Sequence, residues 1–195
     1  YVLAWAHKKD SEHCYIGFDN QAAAQTITRQ VLELGHRNLG VIVGLTQNND
    51  RARDRITGIE HAIADHGAKT APLQVIEAEY TFQEGAKALD QLLANPTPPT
   101  AVICGNDVLA VGAVKRAKQL GLAVPEDLSI TGFADIEVSE LIDPELTTVH
   151  VPHREMGIAA AKSLIAMLKT QTPVESRLLK TRIVNRQSLG PVKPH

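Results

Sequence analysis

The chain has 195 residues, with 20 Lys plus Arg against 22 Asp plus Glu and a formal net charge of −2. At a typical domain size of about 150 residues this is one large or two small domains, and 44% hydrophobic with 22% charged residues is a globular composition that excludes disorder. No run approaches the about 20 apolar residues that cross a bilayer, and a near-neutral chain with 3 Tyr, 3 Phe and 1 Trp offers neither the basic patch nor the stacking platform of a nucleic-acid surface.

Residues 1–5 read as a strand, and Cys14–Phe18 as a second, with Asn20 placed to cap the helix that follows. That helix carries Ala24, Ile27, Val31 and Leu34 on one face and stops at Gly35. Leu39–Val43 is an apolar strand of the buried parallel kind. A polar loop over Thr46–Asp50 leads into a helix with Ile56, Ile59 and Ile63 on one face and Gly67 at its end. Leu73–Ile76 is the next strand, and Thr81 with Glu84 forms a capping box for a helix through Ala86, Leu89 and Leu93. Thr100–Cys104 is a strand; Asn106 caps a helix with Val111, Val114 and Ala117 that ends at Gly121. Leu128–Phe133 precedes a short helix around Ile136–Leu141. Thr147–Val151 crosses back, and Pro152 starts a helix through Met156, Ala160, Leu164 and Met167. Ser176–Ser188 alternates enough for a late strand or hairpin. Strands alternating with helices specify an α/β protein with parallel sheets.

Cys14 and Cys104 stand 90 residues apart in apolar segments, as reduced buried thiols of a cytoplasmic protein do. The chain has no initiator methionine and opens on what reads as a strand already under way, so it is read as part of a longer protein. The catalytic motifs are missing: no dinucleotide fingerprint, phosphate-binding loop, nucleophile elbow, H-E-x-x-H or C-x-x-C. His61 and His66, five apart, do not share a helical face, and His150 and His153 straddle Pro152 at a strand-to-helix corner; both pairs read as ordinary exposed histidines, not a metal site. No cofactor and no metal are expected.

Polar residues instead collect where strands end, the edge at which open parallel sheets bind ligands. Arg51, Arg53 and Arg55 follow Leu39–Val43. Tyr80 follows Leu73–Ile76, Gly105-Asn106-Asp107 follow Thr100–Cys104, and Ala134-Asp135 follow Leu128–Phe133. Each has a structural alternative: Asn106 and Asp135 as caps, the arginines as solvated charges, Tyr80 as a core ring. Four strand ends facing one edge favour a small-molecule cleft.

The run Leu34-Gly35-His36-Arg37-Asn38-Leu39-Gly40-Val41-Ile42, with Arg53-Asp54-Arg55-Ile56-Thr57-Gly58, resembles the effector-binding core of LacI/GalR-type transcriptional repressors. So do Pro99-Thr100-Ala101-Val102, Gly105-Asn106-Asp107, Val124-Pro125-Glu126-Asp127-Leu128-Ser129 and Gly132-Phe133-Ala134-Asp135. The likeness continues through Leu146-Thr147-Thr148-Val149 and Pro152-His153-Arg154-Glu155-Met156-Gly157, in order along the chain.

The resemblance implies a type I periplasmic-binding-protein-like fold: two Rossmann-like parallel-sheet subdomains closing on a ligand, the amino-terminal one incomplete here. It places residues 1–35 and 150–170 in the amino-terminal subdomain, and 36–149 and 171–195 in the carboxyl-terminal one. It implies a non-enzymatic module, a homodimer, a small-molecule effector, and operator DNA bound only through a helix-turn-helix domain outside this chain. Residue by residue, Arg55 matches an effector-gripping arginine, Tyr80 an aromatic that packs on a sugar or base ring, Asn106 the Asn of an Asn-Asp pair, and Trp5 a cleft-wall aromatic. Asp135 matches a structural position that caps the next turn.

Two positions depart. Many members have Asp where this chain has Ala134, and several have Asp beside the tryptophan that Ala4 and Ala6 flank here. Losing two acceptors while keeping Arg55 shifts the expected effector toward a sugar acid or phosphosugar. The alternative is a periplasmic sugar-binding protein serving a transporter. A sugar-processing enzyme has little support, because no nucleophile or acid/base pair stands at a strand end.

Overall fold

A strand as uniformly apolar as Leu39–Val43 is stable only when both of its faces are covered. The computed structural model describes residues 1–8, 11–67, 69–170, 172 and 174–193, and it covers both faces. In chain order the elements are β1 (Leu3–Ala4), β2 (Tyr15–Gly17), α1 (Asn20–Glu33), β3 (Leu39–Gly44) and α2 (Asp50–His66). Then come β4 (Gln74–Ala78), α3 (Phe82–Leu93), β5 (Ala101–Cys104), α4 (Asp107–Gln119) and β6 (Ser129–Ala134). The chain finishes with α5 (Val138–Leu141), β7 (Thr147–His150), α6 (His153–Thr170), β8 (Arg177–Leu178) and β9 (Arg182–Val184).

The larger sheet has the order β4-β3-β5-β6-β7-β9, parallel except where β9 runs antiparallel to β7. The smaller sheet, β1-β2-β8, is parallel. In β3, Leu39, Val41 and Val43 enter one core cluster and Ile42 the other. β5 alternates likewise, with Ala101 and Ile103 on one side and Val102 and Cys104 on the other. Helices α1 and α2 pack together on the first face, α3 and α4 on the second. Among the described residues no helix is long and apolar enough to cross a membrane.

Local chemistry sets the boundaries. Asn49, Thr81 and Asn106 accept from backbone N–H groups in the first turns of α2, α3 and α4. Gly35, Gly67 and Gly121, at φ 95°, 68° and 78°, stop α1, α2 and α4 with left-handed turns. Several expectations need correction. Asp19, not Asn20, caps α1, accepting from Ala22 N at 2.9 Å, because the Asn20 amide is engaged elsewhere. The Thr81 box is half made: Glu84 Oε1 accepts from Lys87 Nζ at 2.7 Å instead of reaching back. The tail is no hairpin, since β8 and β9 join different sheets.

The packing also moves the expected division of the chain. Helix α1 lies against α2, β7 and β9, so residues 20–33 side with the larger sheet, not with the smaller unit that residues 1–35 were assigned to. Arg177–Leu178 pair with β2, so this part of 171–195 sides with the smaller sheet. Residues 171 and 195, at the ends of that range, lie outside the described residues. Helix α6 packs on β1 and β2.

Close approach of α1 and α2 depends on Gly58, where a Cβ would stand 2.2 Å from Gln21 O and 3.1 Å from Ala24 Cβ. Gly58→Ala is therefore expected to destabilise the fold by about 1–3 kcal/mol in urea titration. Gly157→Ala on α6, where an added Cβ meets nothing within 4 Å, is the control and is expected to stabilise by about 0.5–1 kcal/mol.

Candidate ligand-binding site

The buried stripe of α2 runs through Ala52, Arg55, Gly58, Ile59 and Ala62, and Arg55 is the one charged residue on it. It is 7% exposed. A guanidinium there must replace its water with other partners. Arg55 Nε donates to Asn20 Oδ1 at 2.9 Å, Nη1 donates to the Gly105 carbonyl, and Cζ lies 4.0 Å from the centroid of the Phe133 ring. Among the described residues no carboxylate pairs with it, and Nη2 makes no hydrogen bond to protein. Burial lowers its pKa from the usual arginine value to about 10; Arg51 pushes the same way, while Tyr80, Asp107 and Asp54 oppose. It stays protonated at neutral pH. Arg51 and Arg53 are exposed, and Arg53 Nη1 donates to Thr46 O.

The other strand ends converge on Arg55. Asn106 follows β5 directly, half-buried, with its oxygen accepting from Val108 N at 2.8 Å. Capping takes one lone pair of the amide oxygen, and the NH2 makes no hydrogen bond to protein among the described residues. Asp107 is fully buried and accepts from Thr148 Oγ1 at 2.6 Å and Ile136 N at 3.0 Å. Burial raises its pKa despite those donors.

Ala134 ends β6 at φ 126°, and Asp135 follows at φ 59°, so the chain turns through the left-handed region twice in succession. The Ala134 carbonyl accepts from His153 Nε2 at 2.7 Å; a carbonyl only accepts, so Nε2 carries the proton. Asp135 does not cap the next turn as expected. Its carboxylate accepts from Arg186 Nη2 at 2.8 Å and His150 Nδ1 at 2.7 Å, and Asp107 takes the Ile136 N–H instead. Trp5 is half-buried at φ 72°, its ring centroid 5.0 Å from His153 and 6.4 Å from Phe18.

Three of the five expected residues, Arg55, Trp5 and Ala134, thus stand on one closed circuit. Arg55 bonds Asn20, and Asn20 Nδ2 bonds the Trp5 carbonyl at 2.8 Å. Trp5 leans on His153, His153 bonds Ala134, and the neighbouring Phe133 lies under Arg55. Asn106 adjoins the circuit through Gly105. Tyr80 stands apart: it is 46% exposed, and its hydroxyl lies over Gly44 at the end of β3. A cavity of about 600 Å3 shares His150 and His153 with the site.

Sequence reading gives Asn20 only a capping role and His153 only a rejected metal-ligand role, and it does not reach Phe18 or Arg186 as site residues. Phe18 and Asn20 flank the first helix boundary, where local signals speak only of capping. Arg186 lies 51 residues from Asp135, and nothing local links them.

Residues 28–189 match the family described as periplasmic binding protein-like domain. The HTH-type transcriptional repressor CytR of Escherichia coli (strain K12) is 37% identical over 188 residues, 96% of this chain and 55% of that protein. The HTH-type transcriptional repressor PurR of Aliivibrio salmonicida is 32% identical over 169 residues, covering 86% of this chain and 50% of the relative. The chain spans about half the length of these curated relatives. Among solved structures, a LacI family regulator from Enterococcus faecium with bound ribose has a TM-score of 0.89 at 25% identity, covering 98% of this chain and 71% of that one. The transcription regulator GntR from Chromobacterium violaceum has a TM-score of 0.86 at 34% identity, covering 96% and 69%. The chain belongs to the periplasmic binding protein-like domain family, and the relatives it matches are transcriptional repressors and regulators.

Burial works against the charge of Asp135, and Arg186 and His150 outweigh it, holding the carboxyl below the usual aspartate range. A depressed native pKa gives stability that is present above the unfolded value of about 3.9 and is lost as pH falls through the native value. Arg186→Met is expected to lower stability at neutral pH and to flatten its fall below about pH 4, read by urea titrations across that range.

Proposed function

We propose that this chain is the effector-sensing part of a LacI-type transcriptional repressor. A small molecule binds at the strand ends around Arg55 and biases how the smaller and larger units sit against each other. In the whole protein, a homodimer carrying helix-turn-helix heads outside this chain, that bias sets operator affinity. The repressor names of the relatives favour this over a transporter's periplasmic binding protein.

One observation carries the ligand class: Arg55 is buried, protonated and without a carboxylate partner among the described residues. At the neighbouring strand ends, Asp135 is engaged by Arg186 and His150, and Asp107 by Thr148 and the Ile136 N–H. Ala134 removes the acceptor expected on that strand end, and with it a charge that would repel an anion. A ligand carboxylate or phosphate would supply Arg55 with the charge-assisted bonds it lacks. This supports a sugar acid or phosphosugar, with Asn106 and Trp5 contacting the sugar and Tyr80 reaching in from the rim. The ribose-bound relative supports a second reading, an uncharged pentose.

A thermal-shift panel of neutral sugars, sugar acids and sugar phosphates tests the reading. At 100 times its Kd a true effector adds about 2.7 kcal/mol, about 5–10 °C for a chain of this size. Arg55→Ala is expected to abolish the shift, and Ala134→Asp to weaken an anionic effector while admitting neutral sugars. A shift with neutral pentoses or hexoses alone, unchanged in Arg55→Ala, overturns the assignment.

A further inference from the structure

Asn20 is 2% exposed, and every polar atom of its side chain is accounted for. Arg55 Nε can only donate and the Trp5 carbonyl can only accept, so the amide has one orientation: oxygen toward Arg55, nitrogen toward Trp5. Helix capping does not need this side chain, because Asp19 already accepts from Ala22 N. The buried Asn20 side chain instead joins Trp5, beside the smaller sheet, to Arg55 on α2.

Trp5 holds a left-handed backbone conformation that a bulky residue keeps only when its surroundings impose it. Its N–H faces Met156 Sδ at 3.3 Å, and its carbonyl takes the Asn20 amide at 2.8 Å. Gly17 lets the following segment close over β2, for a Cβ there would stand 2.2 Å from Ala6 O. Trp5 is thus fixed from the smaller sheet on one side and from Asn20 on the other. A second connection runs through rings, from Arg55 to Phe133 at 4.0 Å, Phe133 to Phe18 at 6.0 Å and Phe18 to Trp5 at 6.4 Å. It has no hydrogen bonds, and the route over His153 and Ala134 likewise meets Arg55 only through the Phe133 ring; both tolerate small displacements that the Asn20 connection does not.

We propose that Asn20 is a positioning residue for effector binding, setting Arg55 and Trp5 relative to each other so that a change at the arginine is felt at the tryptophan. The proposal takes the identity of the effector site from the reading above, but the linkage is a property of the unliganded chain. It is measurable without any ligand, because Trp5 is the sole tryptophan in the chain.

Acrylamide quenching of Trp5 is measured in the unliganded full chain for Arg55→Lys in two backgrounds, wild type and Asn20→Ala. The substitution is expected to change quenching in the first background and to leave it unchanged in the second. An equal change in both, or none in either, overturns the proposal. Asn20→Asp keeps an acceptor for Arg55 but cannot donate to the Trp5 carbonyl; it replaces Asn20→Ala if that variant does not fold, and by itself should raise Trp5 quenching. The second arm measures D-ribose and D-ribose 5-phosphate by thermal shift. Whichever stabilises the wild type is expected to bind Asn20→Ala about tenfold more weakly, the equivalent of losing one charge-assisted hydrogen bond. Unchanged affinity overturns the proposal. If neither sugar binds the wild type, the pentose ligand reading fails, and the quenching comparison alone upholds or overturns the linkage.

Discussion

A guanidinium taken out of water needs acceptors or an aromatic face for the donors it brings inside, and Arg55 finds them on three separate elements. Asn20 comes from the start of α1, Gly105 from the end of β5 and Phe133 from the end of β6. None of these contacts supplies a negative charge. The folded chain therefore keeps a buried cation stabilised by backbone and side-chain dipoles and an aromatic face, an arrangement that a bound anion would complete. The remainder of the site follows from that constraint. The strand ends have to converge on one point, and the acids close by have to be engaged elsewhere.

They are engaged by residues of the other strands and the tail. Asp135 lies between Arg186 and His150, and Arg186 also reaches Glu140 at 2.7 Å and the Leu146 carbonyl at 2.9 Å. Asp107 is satisfied by Thr148 and by the backbone of the turn after β6. The antiparallel strand β9 brings Arg186 close to Asp135, so the last strand of the larger sheet sets the charge at its centre. Two left-handed residues in succession, Ala134 and Asp135, aim the Ala134 carbonyl at His153 and the Asp135 carboxylate at Arg186 and His150. Because His153 begins α6, which packs on β1 and β2, this turn also ties the larger sheet to the smaller one.

Much of this was legible in the sequence because it is local. The apolar runs of β3 and β5, the Asn106 cap and the glycine stops after α1, α2 and α4 each depend on a handful of adjacent residues. The placement of Arg55 came from resemblance; helical periodicity explains it afterwards, since Arg55 stands three residues from both Ala52 and Gly58 on the buried stripe. What remained hidden depends on contacts between distant segments. Asp19 and Asn20 are equally good caps by residue type, and the choice falls to Asp19 because Trp5 and Arg55 claim the Asn20 amide. Nothing within the periodicity of residues 20–33 indicates that α1 lies against α2 on the larger sheet. The two-residue strand β8 has too few positions to show alternation.

The central claim is that Arg55 contacts the effector through the donors the protein leaves unused. Arginine side-chain NMR of the nitrogen-15-labelled chain tests it most directly, with the Arg55 signals assigned from an Arg55→Lys sample. Titration with the effector that stabilises the protein is expected to shift the Arg55 Nη signals and to leave those of exposed Arg51 in place. An effector that binds tightly while the Arg55 signals stay where they were would contradict the account.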